Sequence, residues 1–487
     1  MLSLRPYQQK IVDGVRSSYI GGKKSPLVVA PTGAGKTIIF SYIAATTTAK
    51  IDKVENRKKR VLILVHRVEL LRQTSEKLTF FGVDHGLVNP LYSPKYYSNV
   101  QVASVQTLIK RLNKIQKPDL IVIDEAHHAT AGTWRKIIEA FPEAYVLGVT
   151  ATPCRGDGTG LGKDAGGIFD DLVMGPQIKE LIESGYLVSP KVYAPMERLD
   201  LSGVRTKMGD YDNKQLEQVV DKPRITGHAV EHYRQLCDGA PAVAFCVSIA
   251  HAQHVAAEFQ AAGYVAYAVD GSQDDDTRKR ILAGLGNGKV HLVASCDLIS
   301  EGTDIPAIGC AILLRPTQSL GLYLQQVGRA LRPSEGKPYA VILDHVGNVL
   351  LHGMPDDERV WSLDGIEKRR KGEKKEATVR VEQCESCYSV YEPQPVCPNC
   401  GHAKKVNEKK LEQEDGQLTE MTPQHAALVR KQRAKEVSKA KSREELEAIA
   451  KQRGYKPGWV NHILRQREAH LINARVAGTP NPMEEVI

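Results

Sequence analysis

The sequence predicts an α/β protein with two doubly wound parallel sheets, and three features support this prediction. Short runs of β-branched residues recur at intervals long enough for a helix, a rhythm typical of parallel sheets covered by helices. This rhythm occurs twice, within residues 27–150 and again within residues 242–344. Polar residues follow several of the runs, at the position where the carboxyl ends of parallel strands bind ligands.

The size and composition indicate a multidomain protein without a membrane segment. The chain has 487 residues, which suggests about three domains. No apolar run approaches the roughly 20 residues of a membrane span, and the first residues lack the apolar core of a signal peptide. We therefore expect a cytoplasmic protein with no membrane partner. The net charge of +9 favours an anionic partner such as nucleic acid.

The first predicted strand, at residues 27–30, leads into a glycine-rich loop and then into a helical stretch. The loop reads Ala30-Pro31-Thr32-Gly33-Ala34-Gly35-Lys36-Thr37. Glycines allow the backbone N–H groups to turn towards phosphate oxygens, and the following helix adds the positive end of its dipole. We expect Lys36 to reach the β and γ phosphates and the Thr37 hydroxyl to ligate Mg²⁺. The alternative is a glycine-rich turn with no ligand, which the complete Gly-Lys-Thr ending disfavours.

Further strands are predicted at residues 61–65, 100–104, 120–124 and 146–150. The run at 120–124 ends with Asp124, and Glu125 follows it directly. Asp124 can hold Mg²⁺ through water, and Glu125 can polarise or deprotonate the attacking water. Two adjacent carboxylates are costly unless a cation is present. An acidic strand end that caps the next helix is the alternative, which the phosphate loop makes less attractive.

Together these motifs resemble those of superfamily 2 helicases and translocases of the DEAD/DEAH (DExH) type, over about residues 1–350. The resemblance implies two tandem RecA-like domains, ATP and Mg²⁺ as cofactors, and nucleic acid as the partner. It makes Gln8, in Arg5-Pro6-Tyr7-Gln8, the contact to the adenine base. His128 extends the shortest form of the acidic signature, and the resemblance gives it no role.

Two further segments occupy the positions where this family grips the nucleic-acid backbone. They read His66-Arg67-Val68-Glu69-Leu70 and Ser104-Val105-Gln106-Thr107-Leu108. Polar side chains of these types suit phosphate contacts that hold a strand without reading its sequence, and all of them are also common in loops and caps. The expected contacts are Arg67, Ser104, Gln106 and Thr107. The segment Thr150-Ala151-Thr152-Pro153 resembles the third motif, which couples the nucleotide state to the grip on the strand.

The second domain is expected to begin near residues 187–190, which gives predicted domains at residues 1–187 and 188–365. Before this domain boundary, residues 156–170 are rich in Gly and Asp and predict a mobile loop, and residues 177–184 predict a helix. The strands of the second sheet are predicted at residues 242–247, 265–269, 291–295, 311–314 and 340–344.

The second domain has no phosphate loop, and two of its segments resemble the fifth and sixth motifs of the family. They read Ser300-Glu301-Gly302-Thr303-Asp304-Ile305-Pro306 and Gln325-Gln326-Val327-Gly328-Arg329-Ala330-Leu331-Arg332. The resemblance makes Gly302 and Asp304 nucleotide contacts and Gln325 a catalytic residue. A spacing of three predicts Arg329 and Arg332 on one helix face, from which they neutralise charge on the transferred γ-phosphoryl group. Hydrolysis would then require closure of the two lobes.

The remaining chain is predicted to form a charged linker (366–380), a zinc ribbon (381–405) and a basic helical tail (406–487). Two Cys-x-x-Cys pairs supply four thiolates for a tetrahedral structural Zn²⁺. They are Cys384, Cys387, Cys397 and Cys400. The alternative, disulfide bonds, is disfavoured in a cytosolic protein. The tail is compatible with a second grip on nucleic acid and equally with a solvated pair of charged helices.

The sequence therefore predicts an ATP-hydrolysing helicase or translocase that couples lobe closure to movement along nucleic acid or to its unwinding. DNA is favoured over RNA, because residues 66–67 and 302–306 resemble the DNA-directed branch of the superfamily. One alternative is a duplex DNA translocase of a repair or restriction assembly, which moves without separating strands. The other is an ATP-gated nucleic-acid-binding protein, which the joint presence of Lys36, Glu125, Arg329 and Arg332 opposes.

Overall fold

A computed structural model of the chain describes most of its first 364 residues and several short stretches beyond them. The described residues are 4–129, 132–155, 158–195, 201, 203–207, 210–220, 223–296, 308–364, 382–383, 390–391, 419–422, 428, 431, 435–437, 439–440, 442–452, 459–460 and 463–464. None of the helices within these ranges combines the length and the apolar character needed to cross a bilayer.

The first lobe is built on a seven-stranded sheet. Its helices and strands are α1 (Pro6–Ile20), β1 (Pro26–Val29), α2 (Lys36–Thr48), β2 (Ile51–Asp52), β3 (Arg57–Lys58), β4 (Val61–Val65), α3 (Val68–Phe80), β5 (His85–Val88), β6 (Val100–Ser104), α4 (Val105–Leu108), β7 (Leu120–Asp124), α5 (Gly132–Glu139), β8 (Tyr145–Thr150), β9 (Asp171–Met174) and α6 (Ile178–Glu183). The sheet order is β5-β6-β4-β7-β8-β1-β9, and all neighbouring strands are parallel.

Every residue of β4, β6 and β7 is buried because helices cover both faces of this sheet. On one face the strands pack against Ile11, Ile39 and Leu71 of α1, α2 and α3. On the other face they pack against Trp134 and Ile137 of α5. A parallel sheet buried in this way explains why its strands read as continuous apolar runs.

The second lobe is built on a second seven-stranded sheet. Its elements are β10 (Ser189–Ala194), β11 (Thr206–Lys207), β12 (Asp210–Tyr211), α7 (Asn213–Val220), α8 (Pro223–Cys237), β13 (Ala242–Phe245), α9 (Ile249–Ala261), β14 (Ala266–Val269), α10 (Asp275–Gly286), β15 (Leu292–Ser295), β16 (Cys310–Leu313), α11 (Leu320–Ala330), β17 (Tyr339–Asp344) and α12 (Asn348–His352). The more distant elements are β18 (Glu382–Gln383), β19 (Val390–Tyr391), β20 (Thr419–Met421) and α13 (Arg443–Gln452).

The sheet order in the second lobe is β14-β15-β13-β16-β17-β10-β20, and only β20 runs antiparallel to its neighbour. The predicted pair of doubly wound parallel sheets is therefore confirmed. The tail, predicted to be helical, also contributes the short strand β20, in which Met421 pairs with Val192 of β10. An edge strand offers unpaired N–H and C=O groups, and this segment of the tail satisfies those of β10.

The glycine-rich segment before β9 was expected to be a mobile loop, and its described residues, 158–170, instead pack into the first lobe. Leu161 and Phe169 are fully buried in the cluster that also contains Trp134. A Cβ on Gly167 would lie 1.9 Å from the carbonyl oxygen of Leu161. Glycine is thus needed here for close packing of the backbone, which composition does not reveal.

The two lobes are in contact, and the chain returns from the second lobe to the first. Trp361 and Leu363 pack on the first lobe's core, and the carbonyl of Leu363 accepts a hydrogen bond of 2.8 Å from the N–H of Gly162. On another side of the interface, Arg72 of α3 pairs with Asp275 of α10 at 2.8 Å. Hydrogen bonds from Arg278 and Arg72 lower the pKa of the Asp275 carboxyl.

Candidate active site between the lobes

The phosphate loop has the backbone geometry that its sequence predicts. Gly33 and Gly35 have φ angles of 92° and 77°, in the left-handed region that favours glycine. A Cβ on Gly35 would lie 2.6 Å from the Nε2 of Gln8, and one on Gly33 would lie 2.9 Å from the Cδ2 of Leu187. The loop ends where α2 begins, at Lys36, so its N–H groups lie at the N-terminus of a helix.

The start of α1 is hydrogen-bonded to the phosphate loop. The Nε2 of Gln8 and the hydroxyl of Tyr7 both donate to the carbonyl of Ala34, at 3.2 and 3.0 Å. The Oε1 of Gln8 accepts from the N–H of Arg5 at 3.1 Å. These contacts use one of the two N–H groups of the amide and one of its two lone pairs, and an adenine contact can use the others. The base contact of Gln8 stays a prediction.

The oxygen ligands predicted for Mg²⁺ lie at the carboxyl edge of the sheet. Asp124 ends β7 and is only 3% exposed, and its Oδ1 accepts a hydrogen bond of 3.0 Å from the N–H of Glu125. Thr37 lies in the first turn of α2, which follows β1 at the same edge. A carboxylate and a hydroxyl are hard oxygen donors of the kind that Mg²⁺ prefers. The glycine cradle and this donor set fit a bound nucleotide with its metal ion.

Glu125 has two unusual features for a residue in this position. Its φ and ψ are 48° and 55°, a left-handed conformation that is rare for residues other than glycine. Its Oε2 is buried and accepts no hydrogen bond within the described part of the chain, and this oxygen lies 3.5 Å from the Nδ1 of His127. Backbone strain and a buried carboxylate oxygen without a donor are typical of functional sites.

The second lobe presents α11 to the phosphate loop. A Cβ on Gly328 would lie 2.7 Å from the Cβ of Thr32, so α11 packs directly on the loop. Gln325 is 4% exposed, and its Oε1 has no hydrogen-bond partner among the residues that the structure describes. Arg329 is buried in the same helix. A Cβ on Gly33 would lie 4.0 Å from the Cγ of Arg332. The structure therefore brings the predicted arginine segment beside the phosphate loop.

The prediction that Arg329 and Arg332 share one helix face is wrong, because α11 ends at Ala330. Arg332 lies in the turn that follows. Its neighbour Pro333 gives the reason, since a steric clash disfavours the helical conformation for the residue before a proline. The stem of Arg332 still lies beside the loop, and Arg329 directly follows Gly328, the residue of α11 that packs on Thr32.

Lys337 holds this turn in place and was not singled out by the sequence analysis. Its ammonium donates to the carbonyls of Ile308 at 2.6 Å and of Arg332 at 2.7 Å, and also to the carbonyl of Ala330. Burial lowers the pKa of this ammonium to about 8, with a smaller effect from the charge of Arg332. The group is thus charged at neutral pH and caps the C-terminal end of α11. A lysine after Gly336 gives no recognisable sequence signal of this role.

Replacing Lys337 by Met should lower the free energy of unfolding by about 2 to 3 kcal/mol, because three carbonyls lose a charged donor. Chemical denaturation monitored by circular dichroism measures the change. The exposed Lys289, replaced by Met in the same lobe, serves as the control and should change stability by less than about 0.5 kcal/mol. Equal stability of the Lys337→Met variant and the unmodified chain would contradict the capping role.

The predicted nucleic-acid contacts fall into two groups. Ser104 and Thr107 are buried, and the hydroxyl of Ser104 donates to the Oγ1 of Thr107 at 2.8 Å. This pairing indicates a structural role for the two hydroxyls, which is the alternative weighed for them in the sequence analysis. Gln106 is exposed and Arg67 is half-buried, so these two remain candidates for strand contact. Gly302 and Asp304 lie outside the described residues.

The fold and this site define a class of protein. One lobe carries a phosphate loop and an acid pair at the carboxyl edge of a parallel sheet, and the other lobe packs α11 and the stem of Arg332 against that loop. This arrangement is that of a two-lobed nucleotide-hydrolysing motor, in which residues from both lobes surround one nucleotide.

Comparison with known proteins identifies the family. Residues 1–155 match the family described as type III restriction enzyme, res subunit, and residues 228–334 match the helicase conserved C-terminal domain. A 51.5 kDa protein of a Lactococcus phage (isolate 7-9) is 35% identical over 386 residues, which are 79% of each chain. The putative ATP-dependent helicase IRC3 of Saccharomyces cerevisiae is 32% identical, over 71% of this chain and 51% of the yeast protein.

A solved structure shares the fold. The fragment structure of a putative HsdR subunit of a type I restriction enzyme from Vibrio vulnificus YJ016 aligns with a TM-score of 0.57 and 24% identity, covering 74% of this chain and 69% of the other. The chain belongs to the superfamily 2 helicases and is an ATP-hydrolysing helicase or translocase. It spans about half the length of the IRC3 relative.

Proposed function

We propose that this chain is an ATP-driven DNA motor in which hydrolysis between the lobes is coupled to movement along DNA or to its unwinding. The observation that carries the proposal is the contact between the phosphate loop and α11, where Thr32 meets Gly328. A nucleotide held by the loop therefore lies within reach of residues from the second lobe. Its hydrolysis and release can change how the lobes are held together.

The residues have separate roles in this proposal. Lys36 and the N–H groups of the loop bind the phosphates, and Thr37 and Asp124 hold Mg²⁺, which when bound offsets phosphate charge. Glu125 accepts the proton of the attacking water. Arg329 and Arg332 stabilise the charge that develops on the γ-phosphoryl oxygens, with Gln325 beside them. We assign the motor lobes to residues 1–187 and 188–365.

DNA is the proposed nucleic acid because relatives named as a DNA translocase and as a restriction enzyme match a large part of the chain. A protein of Sulfurisphaera tokodaii named DNA 3'-5' translocase XPB2 is 22% identical over 375 residues. The type I restriction enzyme EcoAI endonuclease subunit of Escherichia coli is 26% identical over 380 residues. These names also fit the alternative of a duplex translocase that does not separate strands.

The experiment that tests this function measures ATP turnover with single-stranded DNA, duplex DNA, forked DNA and RNA. We expect at least a tenfold increase with one of the DNA forms and a smaller increase with RNA. Displacement of a labelled strand from forked DNA then indicates unwinding, and displacement of the third strand of a triplex without unwinding indicates translocation. Lys36→Ala is the negative control. Failure of every nucleic acid to raise turnover would leave only the ATP-gated binding protein.

We also propose that residues 381–405 bind one structural Zn²⁺ through Cys384, Cys387, Cys397 and Cys400, which lie outside the described residues. No cluster of three or more His, Cys, Asp or Glu suited to a metal ion occurs within the described ranges, which omit these four cysteines. The antiparallel pair β18 and β19 flanks the first two cysteines in the sequence, as the strands of a ribbon would. None of the five cysteines of the described regions forms a disulfide bond, which fits the proposal of a reducing, cytoplasm-like compartment.

Replacing Cys384 by Ser should release the zinc, because three thiolates and a hydroxyl bind it much more weakly than four thiolates. Elemental mass spectrometry of the purified chain measures this, with about one zinc expected per unmodified chain. The matched control is Cys237→Ser at a free thiol of the second lobe, which should retain the metal. An unmodified chain without zinc would exclude the ribbon.

A further inference from the structure

Three histidine rings lie in a row of tilted ring contacts at the carboxyl edge of the first sheet, and we call this row the histidine stack. His66 follows β4, and His127 and His128 lie in the 3-10 turn Ala126–His128 that follows β7. The ring centroids of His66 and His128 are 4.6 Å apart, and those of His128 and His127 are 4.2 Å apart. His128, which received no role from the sequence, is the middle ring.

One end of this histidine stack touches the candidate strand contacts. The carbonyl of His66 accepts a hydrogen bond of 3.4 Å from the Nε2 of Gln106. Arg67 is the next residue in the chain. Gln106 and Arg67 are the two predicted nucleic-acid contacts whose side chains the structure leaves accessible. A strand that binds these side chains therefore acts directly on the backbone that carries His66.

The other end of the histidine stack touches the candidate general base. The Nδ1 of His127 lies 3.5 Å from the Oε2 of Glu125 and 3.2 Å from the Oγ1 of Thr150. Glu125 has a strained backbone, so its side-chain position depends on neighbours that hold it. The ring of His127, which lies within 4 Å of the Oε2, is one such neighbour.

The contact continues into the second lobe. The hydroxyl of Thr150 donates to the carbonyl of Thr152 at 3.0 Å and accepts from its N–H at 3.2 Å. The Oγ1 of Thr152 lies 2.8 Å from the Cβ position of Gly321, in the first turn of α11. The helix that carries Gln325 and Arg329 is therefore connected to His127 through Thr150 and Thr152.

We propose that His128 is a positioning residue that transmits nucleic-acid contact at Arg67 and Gln106 to Glu125 through the histidine stack. The proposal rests on the function proposed above. Packed side chains transmit small displacements because the interior has few voids, and coupling requires a continuous path of contacts of this kind. The rings of His66 and His127 both contact His128. Removal of its ring opens a gap at the centre of this path. Binding of a nucleic-acid strand then no longer changes the orientation of Glu125.

The test is the activation ratio, defined as kcat for ATP hydrolysis with a saturating concentration of the DNA form that activates the unmodified chain most, divided by kcat without DNA. His128→Ala should lower this ratio about tenfold, with the KM for ATP within about twofold of the unmodified chain. His128→Phe keeps a flat ring and should retain the ratio within about twofold. His254→Ala, at an exposed position of α9, is the control. A general folding defect would weaken DNA binding and ATP binding together, so the Kd for DNA is measured on each variant.

A double-mutant cycle with His66→Ala makes the test specific for the histidine stack. If the rings act as one unit, the variant with both changes should lose no more of the activation ratio than either single variant. Full activation of His128→Ala, or equal losses in His128→Phe and His128→Ala, would overturn the proposal. An unmodified chain that no DNA activates would overturn the proposed function first, and this proposal with it. The two failures are thus distinguishable.

Discussion

Replacing Glu125 by Gln should lower kcat for ATP hydrolysis by about 10³-fold and leave ATP binding nearly unchanged. The amide has the shape of the carboxylate and cannot accept the proton of the attacking water, a contribution worth about 10² to 10⁴ in rate. The structure supports this choice of base, because the Oε2 of Glu125 is buried at the end of β7 with no hydrogen-bond donor in the described part of the chain. Single-turnover hydrolysis and equilibrium binding of ATP measure the two quantities separately.

The matched control for this variant is Glu143→Gln, at an exposed position just before β8. It removes one carboxylate from the same lobe and should leave kcat within about twofold of the unmodified chain. Normal turnover by Glu125→Gln would remove Glu125 as the base. A large rise in the Kd for ATP would instead indicate that this carboxylate helps to hold the nucleotide.

Replacing Arg332 by Ala should lower kcat by about 10³- to 10⁵-fold, the range in which a finger arginine contributes to phosphoryl transfer. The stem of Arg332 lies beside Gly33 of the phosphate loop, so this side chain extends from the second lobe to the loop of the first. Because its charge matters most in the transition state, the Kd for ATP should change much less than kcat. Pre-steady-state hydrolysis with a parallel binding assay measures this difference.

Further variants separate catalysis from stability. Arg332→Lys keeps the charge without the planar fork of donors and should recover only part of the rate. Arg329→Ala should have a comparable effect on kcat, and because Arg329 is buried its thermal unfolding must be compared with that of the unmodified chain. Arg280→Ala, at an exposed position of α10, is the control. If Arg332→Ala and Arg280→Ala turn over ATP equally fast, Arg332 has no catalytic role.

Much of the central sheet of the first lobe was predictable from local sequence. The predicted bounds of β4, β6 and β7 agree with the structure at both ends, since strands buried on two faces are continuous apolar runs with clear limits. The strands β5, β9 and β10 were not predicted. Two of them contain half-buried polar residues, such as His85 of β5 and Lys191 of β10, and pairing with a neighbour makes them strands more than their own pattern does.

The candidate site was predictable to a similar degree. The loop from Ala30 to Thr37, the acids at the end of β7 and the two arginines follow from motif and spacing. The end of α11 before Arg332 was also predictable, since Pro333 follows Arg332 in the sequence. The mutual burial of Ser104 and Thr107 was not, because hydroxyl residues beside a helix start are equally common in capping roles and in ligand contacts.

By itself the sequence determined the parts that depend on neighbours along the chain, namely the parallel sheets, the phosphate loop and the acid pair, because periodicity and backbone freedom are local properties. Tertiary structure alone decided the contacts between distant segments. It placed α11 on the phosphate loop, Lys337 under the turn of Arg332, and His66 against His128. These contacts form between residues up to nearly 300 positions apart, as for Thr32 and Gly328, and only the packing of complete lobes brings such residues together.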